Sequence, residues 1–257
     1  VVPTTSGTGS ETTAIAVISD TEKGVKLPFV SYFLMPNAAV LDSRMTLTLP
    51  PHITAMTGMD ALTHAVESFT CLAHNPISDA YANGAIKKIA DNLLNVLDNP
   101  TDADGRLELA QASTMAGVAF SNAMVGLVHA LGHSLGAVCH LPHGLCMNLF
   151  LPYALEYNKD TNGDRIAELL LPLAGADVYA ATPVAQRADR AIAEIRRMRD
   201  EIFNRCKLPR TLQETGKVTR EQLAQIADLT LDDGAIIINP KEADRDEIMA
   251  ILEKAWG

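Results

Sequence analysis

The sequence is poor in aromatic side chains and in positive charge. Aromatic residues make up only 5% of its 257 residues, and 21 lysines and arginines stand against 31 aspartates and glutamates. The net charge of −10 excludes the basic stripe that binds nucleic acid. The four cysteines contain no C-x-x-C pair, which argues against a zinc knuckle or a disulfide framework and predicts a reducing, cytoplasmic location.

Long uninterrupted apolar runs are also missing, although 47% of the residues are hydrophobic. The most apolar stretch, residues 124–155, is interrupted by four histidines and by Pro142. A transmembrane helix needs about 20 consecutive apolar residues, so we expect no association with a membrane. The composition instead predicts a globular protein with a large core of small and aliphatic side chains.

Residues 1–50 and residues 51–257 differ in pattern. The first segment has β-branched stretches broken by Pro and Asn, which predict short strands around a Gly/Ser/Thr-rich loop at residues 4–11. From Pro51 onward the apolar spacing is helical. We therefore predict a mostly α protein, with an all-helical domain preceded by a short β segment. The predicted helices span residues 52–71, 76–97, 106–137, 163–174, 183–206, 219–228 and 241–256, with Asn75 and Thr219 as caps.

Four of the seven histidines lie within fifteen residues of an otherwise apolar stretch: His129, His133, His140 and His143. A buried imidazole without a partner is unfavourable. His133 follows His129 by four residues, and the same spacing separates Asp60 from His64, so each pair shares one face of a helix. Two such helices and the turn at His143 predict a site where Asp and His converge, a donor set that suits Fe²⁺ or Zn²⁺.

The residues alone leave other roles open for these side chains. Single D-x-x-x-H and H-x-x-x-H pairs also occur on helix surfaces, and His140 and His143 suit the capping of helix ends. A zinc protease is disfavoured because Ala130 stands where its motif has the glutamate general base. Two calcium-like loops, at residues 102–105 and 160–164, lack glutamate at the twelfth position.

Five sequence blocks resemble the iron-containing (group III) alcohol dehydrogenases, which include lactaldehyde–propanediol oxidoreductases and butanol dehydrogenases. They follow the family order over nearly the whole chain: PTTSGTGSE, LPPHITAMTGMDALTHAVES, NPISDAYA, GLVHALGHSLGAVCHLPHG and NPKEADRDEIMAILEKAW. The resemblance implies metal-dependent hydride transfer between a small primary alcohol or aldehyde and NAD or NADP. We also expect a homodimer or a larger homo-oligomer.

The resemblance assigns roles to single residues. The family's metal ligands correspond to Asp60, His64, His129 and His143, with Fe²⁺ as the metal and Zn²⁺ as the alternative. His133 corresponds to a histidine near the nicotinamide and is the candidate proton carrier, whereas His140 is a polar turn residue. Thr4, Thr5 and Thr8 correspond to cofactor contacts. Gly7 permits close approach to the same ligand, although the glycines of this loop suit a tight hairpin as well.

The family begins with a Rossmann-like cofactor domain that carries a Gly-Gly-Gly-Ser pyrophosphate loop, and these 257 residues contain no such loop. The resemblance therefore implies that residues 1–50 are the C-terminal remnant of a dinucleotide-binding domain and that residues 51–257 are the helical metal-binding catalytic domain. Two alternatives stay open: a metal-binding fragment without activity of its own, and a zinc-dependent polyol dehydrogenase of the same superfamily.

We expect the 257-residue chain on its own to bind NADH weakly and not to oxidise alcohols. Hydride transfer needs the nicotinamide about 3–3.5 Å from the reacting carbon, and the sequence lacks the pyrophosphate loop that would fix it there. Isothermal titration of NADH into the metal-loaded chain measures the affinity. Micromolar binding together with propanediol-dependent NADH formation contradicts the expectation.

Overall fold

The computed structural model describes residues 1–20 and 25–257, and its regular structure is mostly helical. Strands β1 (Ile15–Asp20) and β2 (Val25–Val30) pair antiparallel, with Ile15 opposite Val30. The helices of the described part are α1 (Pro51–Thr70), α2 (Pro76–Asp98), α3 (Ala103–Ala123), α4 (Leu127–Cys139), α5 (His143–Glu168), α6 (Leu170–Ala181), α7 (Arg187–Cys206), α8 (Gln222–Asp232) and α9 (Arg245–Trp256). The predicted fold class, mostly α after a short β segment, is confirmed.

The amino-terminal segment contains less strand than predicted. Residues 4–11 form an irregular loop that leads into a 3₁₀ turn, and the hairpin lies after it, at β1 and β2. Residues 31–50 of the predicted β segment contain two 3₁₀ turns and no strand. The side chains of Ser31 and Asp42 each accept the backbone N–H two positions further on, which favours a turn over a strand. Residues 21–24 of the predicted β segment lie outside the described residues.

Helix α1 forms the centre of the molecule. From Thr54 to Thr70 all its residues except Thr57 are buried, because α2, α3, α5 and α7 pack around it. A helix that is buried on all sides is normally apolar all round. Helix α1 nevertheless carries Asp60, His64 and Glu67, whose spacing places them on one face. These three polar groups therefore need partners inside the core.

The predicted single helix over residues 106–137 is wrong, because the chain turns by 105° between α3 and α4. Met124 has φ 71° and ψ −167°, a combination that residues with a side chain rarely adopt, and Gly126 is also non-helical. Small and apolar residues continue on both sides of the bend, so apolar spacing alone does not reveal it. The bend directs the start of α4 towards α1, where Val128 N–H meets Glu67.

Helix α5 was missed by the sequence analysis over most of its length. It contains Pro152, which disfavours a helix interior. It also contains Asn162, which has non-helical dihedral angles and lies in residues 160–164, a sequence typical of a loop. Packing against α1 and α7 outweighs these local preferences. Of the predicted caps, Asn75 forms a complete capping box with Ser78. At Thr219 only one of the two capping-box hydrogen bonds is present, the one that its backbone N–H donates to Gln222 Oε1.

In the described ranges, no single helix has both the length and the apolar character needed to cross a bilayer. Helices α3 and α4 meet that criterion only as a pair, across their bend.

The loop at residues 4–11 packs directly on α3. Gly9 has φ 61°, and a Cβ atom at this position would lie 2.6 Å from the Cα atom of Gly117. The N–H of Gly9 donates to Ser113, and the Thr114 hydroxyl donates to the buried Glu11 carboxylate at 2.6 Å. The glycine thus serves the close approach of the loop to a helix.

We expect Gly9→Ala to lower the free energy of unfolding by about 2–5 kcal/mol. About 1–2 kcal/mol comes from the left-handed backbone conformation, and about 1–3 kcal/mol comes from overpacking against α3. Gly216→Ala is the matched control, because Gly216 has φ 64° and a Cβ atom at this position would have no described atom within 4 Å. Urea unfolding followed by circular dichroism measures both losses. Equal losses contradict the packing argument.

Candidate metal centre

Four side chains from three helices converge on one point. Asp60 and His64 come from α1, His129 from α4, and His143 is the first residue of α5. One ligand atom of each residue lies within 4.8 Å of the other three. Ligands about 2.0–2.2 Å from one ion are at most about 4.4 Å apart, so small side-chain rotations suffice for all four to reach it. The structure thus brings together the residues that the resemblance assigned to the metal.

Three of the four residues, Asp60, His64 and His129, each carry a buried polar atom without a hydrogen bond among the described residues. These atoms are Asp60 Oδ1, His64 Nδ1 and His129 Nε2. His143 Nε2 lies 3.3 Å from Asp60 Oδ1. Buried polar atoms are normally satisfied, and a divalent cation would satisfy these together. Three imidazole nitrogens and one carboxylate oxygen fit Fe²⁺ or Zn²⁺.

Burial also favours the protonation states that suit metal binding. It lowers the pKa values of His64 and His129 well below the usual value, and for His64 the nearby His129 adds to the effect. These imidazoles are therefore neutral, as metal ligands must be. Burial raises the pKa of Asp60 to about 7. A cation beside Asp60 would favour its charged form.

His143 reaches the cluster because α5 begins directly against α1. Pro142 precedes the helix, and a side chain at Gly144 would collide with the backbone carbonyl of Met56 on α1. Glycine therefore permits the approach that places His143 next to Asp60. His140 is exposed, has φ 53° at the carboxyl end of α4, and does not belong to the cluster. Its position agrees with a polar turn residue.

His64 lies between Phe120 and the loop at residues 4–11. Its ring stacks on Phe120, with centroids 4.4 Å apart, and the nearby backbone of Gly7 acts to raise the pKa of His64 against the larger lowering effect of burial. This proximity places the predicted cofactor loop beside the metal cluster, with Thr4 and Thr8 exposed. The sequence analysis missed Phe120, because a phenylalanine in an apolar helix looks the same in sequence as any core residue.

His133 lies one turn after His129 on α4, beside the cluster. Its ring stacks on His143 with centroids 5.4 Å apart, and its Nδ1 is 2.9 Å from Asp233 Oδ2. Burial tends to raise the pKa of Asp233, but the hydrogen bond and charge of His133 and the backbone N–H of Ala235 together outweigh burial and lower the pKa below its usual value. Asp233 was also missed, because it follows α8 and no local pattern links it to His133.

Glu67 is a further acidic residue that sequence reasoning missed. It is buried on α1, and its Oε2 lies 2.5 Å from His129 Nδ1. Burial raises the pKa of Glu67 to about 7, although backbone N–H groups at the start of α4 act in the opposite direction. A signal was available in the sequence, because Glu67 follows His64 by three residues and therefore lies on the same face of α1.

Comparisons with known proteins match almost the whole chain to one family. The model of the C-terminal part of the Fe-containing alcohol dehydrogenase family matches residues 54–256, and the model of iron-containing alcohol dehydrogenase matches residues 1–43. The chain belongs to the iron-containing alcohol dehydrogenase family.

Individual relatives match almost the whole chain. The NADPH-dependent butanol dehydrogenase of Clostridium saccharobutylicum is 34% identical over 98% of this chain and 63% of its own length. The sulfoacetaldehyde reductase of Bilophila wadsworthia is 37% identical over 98% of this chain and 64% of its own length. The structure of an alcohol dehydrogenase from Oenococcus oeni superposes with a TM-score of 0.93 at 34% identity, covering 99% of this chain and 65% of that one. The chain thus spans less than two thirds of the length of these relatives.

We expect His143→Ala to lower the affinity for Zn²⁺ by more than about 100-fold. Loss of a residue that only hydrogen-bonds a metal ligand already lowers metal affinity by about 10–100-fold, and loss of a ligand should cost more. Helical content should stay unchanged, because the core is made by helix packing. His140→Ala, three residues away, is the control and should bind Zn²⁺ like the parent. Competition with a chromogenic chelator and far-UV circular dichroism give both readouts. Loss of Zn²⁺ binding in the His140 variant alone contradicts the assignment.

Proposed function

We propose that this chain supplies the metal-binding and proton-transfer residues of an NAD(P)-dependent alcohol dehydrogenase, with Fe²⁺ as the metal and Zn²⁺ as the alternative. The observation that carries the proposal is the convergence of one ligand atom each from the buried residues Asp60, His64 and His129 and from the partly buried His143. The relatives' names, a butanol dehydrogenase and a sulfoacetaldehyde reductase, favour small primary alcohols and aldehydes as substrates.

The chain's own residues prepare a position for the substrate oxygen. A divalent metal held by the four residues would supply a Lewis acid for the alcohol or carbonyl oxygen. The apolar core around α1 excludes water from one side of the cluster. Neutral imidazoles and one carboxylate leave a bound divalent ion with net positive charge, which favours an oxygen that develops negative charge.

His133 is the proposed proton carrier. Asp233 accepts the hydrogen bond from its Nδ1, so Nε2 is the nitrogen left to accept a proton from the alcohol. The His133 side chain is 31% exposed, whereas that of His129 is 2% exposed. His133 can therefore exchange its proton with solvent, which a buried imidazole cannot do readily.

The loop at residues 4–11 is proposed to contact the nicotinamide end of NAD or NADP through Thr4, Thr5, Gly7 and Thr8. The proximity of the Gly7 backbone to His64 supports this role, because it places the loop beside the cluster. A nicotinamide cofactor would supply the hydride acceptor. A cytoplasmic location, consistent with the four free thiols, and a homodimeric or larger assembly are part of the same proposal.

We expect His133→Ala to retain the metal but to lower kcat by about 10²–10⁴-fold, the usual contribution of a general acid–base group. The assay follows alcohol-dependent reduction of NAD⁺ and NADP⁺ after anaerobic loading with Fe²⁺ or Zn²⁺. For this assay the chain is fused to the parts of the Clostridium butanol dehydrogenase that lie outside the matched span, so that one polypeptide contains both. His140→Ala in the same fusion serves as the control. A metal-loaded parent without alcohol-dependent reduction contradicts the proposed function.

A further inference from the structure

Glu67 contacts both a histidine of the metal cluster and the backbone of the helix that carries it. Its Oε2 lies 2.5 Å from His129 Nδ1, and its Oε1 accepts the Val128 N–H at 2.6 Å. The residue is 5% exposed. Both oxygens of one buried carboxylate are thus engaged by two successive residues of α4.

Helix α4 begins without a cap of its own. Its N-cap residue is Gly126, which has no side chain, and the first N–H groups of a helix need acceptors from elsewhere. Glu67 supplies one for Val128, and Asn239 Oδ1 accepts the N–H of Leu127 at 3.3 Å. A carboxylate at the positive end of α4 is also electrostatically favourable.

We propose that Glu67 is a positioning residue that keeps the proton of His129 on Nδ1, so that Nε2 retains its lone pair for the metal. A carboxylate only accepts hydrogen bonds, so the ring nitrogen beside it carries the proton. The opposite nitrogen, Nε2, is buried without a hydrogen-bond partner in the described ranges and belongs to the cluster. This inference rests on the metal site of the proposed function.

Replacing Glu67 by glutamine reverses the hydrogen bond to the imidazole. Because the Val128 N–H requires an acceptor, the amide oxygen takes the place of Oε1 and the amide nitrogen takes that of Oε2. The amide nitrogen then donates to His129 Nδ1, which moves the ring proton to Nε2. The nitrogen that faces the cluster then carries a proton and has no lone pair for a metal.

Tautomer measurement on the metal-free chain tests the proposal without activity. Histidine ring nitrogens are labelled with ¹⁵N, and two-bond ¹H–¹⁵N correlations are recorded at about pH 8.5, where neutral imidazole predominates. His129→Ala identifies the His129 signals. The parent should show the Nδ1–H tautomer and Glu67→Gln the Nε2–H tautomer. A parent with the proton on Nε2 overturns the proposal, whether or not the variant folds.

Zn²⁺ affinity is the second readout. We expect Glu67→Gln to bind Zn²⁺ about 10–100-fold more weakly than the parent. Glu194→Gln is the control, because Glu194 is also buried but pairs with Arg190 and Arg197 on α7. Its tautomer pattern and Zn²⁺ affinity should match those of the parent.

The two proposals fail in different ways. If the parent binds no Zn²⁺ but shows the Nδ1–H tautomer, and Glu67→Gln shows the Nε2–H tautomer, the metal site is contradicted and the positioning role of Glu67 for the His129 proton is supported. Zn²⁺ binding that is lost in His143→Ala but unchanged in Glu67→Gln, with an unchanged tautomer, supports the metal site and overturns the role of Glu67.

Discussion

The structure depends on a polar stripe buried in the middle of an otherwise apolar core. Asp60, His64 and Glu67 share one face of α1, a helix enclosed by four others. Isolated polar groups at this depth would destabilise the fold, so the surrounding elements bring partners to them. The start of α4 meets Glu67, the start of α5 brings His143 to Asp60, and the amino-terminal loop meets His64. The candidate metal site follows from this constraint.

Helix α4 carries two histidines with similar hydrogen bonds but different environments. Each histidine faces a carboxylate, of which one oxygen lies near the ring Nδ1 and the other accepts a backbone N–H. Glu67 contacts His129 and accepts from Val128. Asp233 contacts His133 and accepts from Ala235. Burial separates the proposed roles. His129 is enclosed and suits a ligand, whereas His133 is partly exposed and suits proton exchange.

Several parts of the site were predictable from the sequence for a physical reason. The spacing of four residues between Asp60 and His64, and between His129 and His133, fixes each pair on one helical face. Glu67 follows His64 by three residues, so its place on the same face of α1 was predictable in the same way. The complete ligand set, with His143 in place of His140, came from the resemblance to the family, because both histidines flank the same turn and spacing does not distinguish them.

The sequence alone was enough to predict the local pairs and most of the helices, α5 and the bend between α3 and α4 excepted, because these features depend on interactions within one or two turns of a helix. Tertiary structure decided which pairs meet. Glu67 reaches His129 across 62 positions and Asp233 reaches His133 across 100, and neither contact has a local signal. The 105° bend at Met124–Gly126, on which the first contact depends, is stabilised by partners distant in sequence, Glu67 and Asn239. Such contacts arise only when the packed core brings separate helices together.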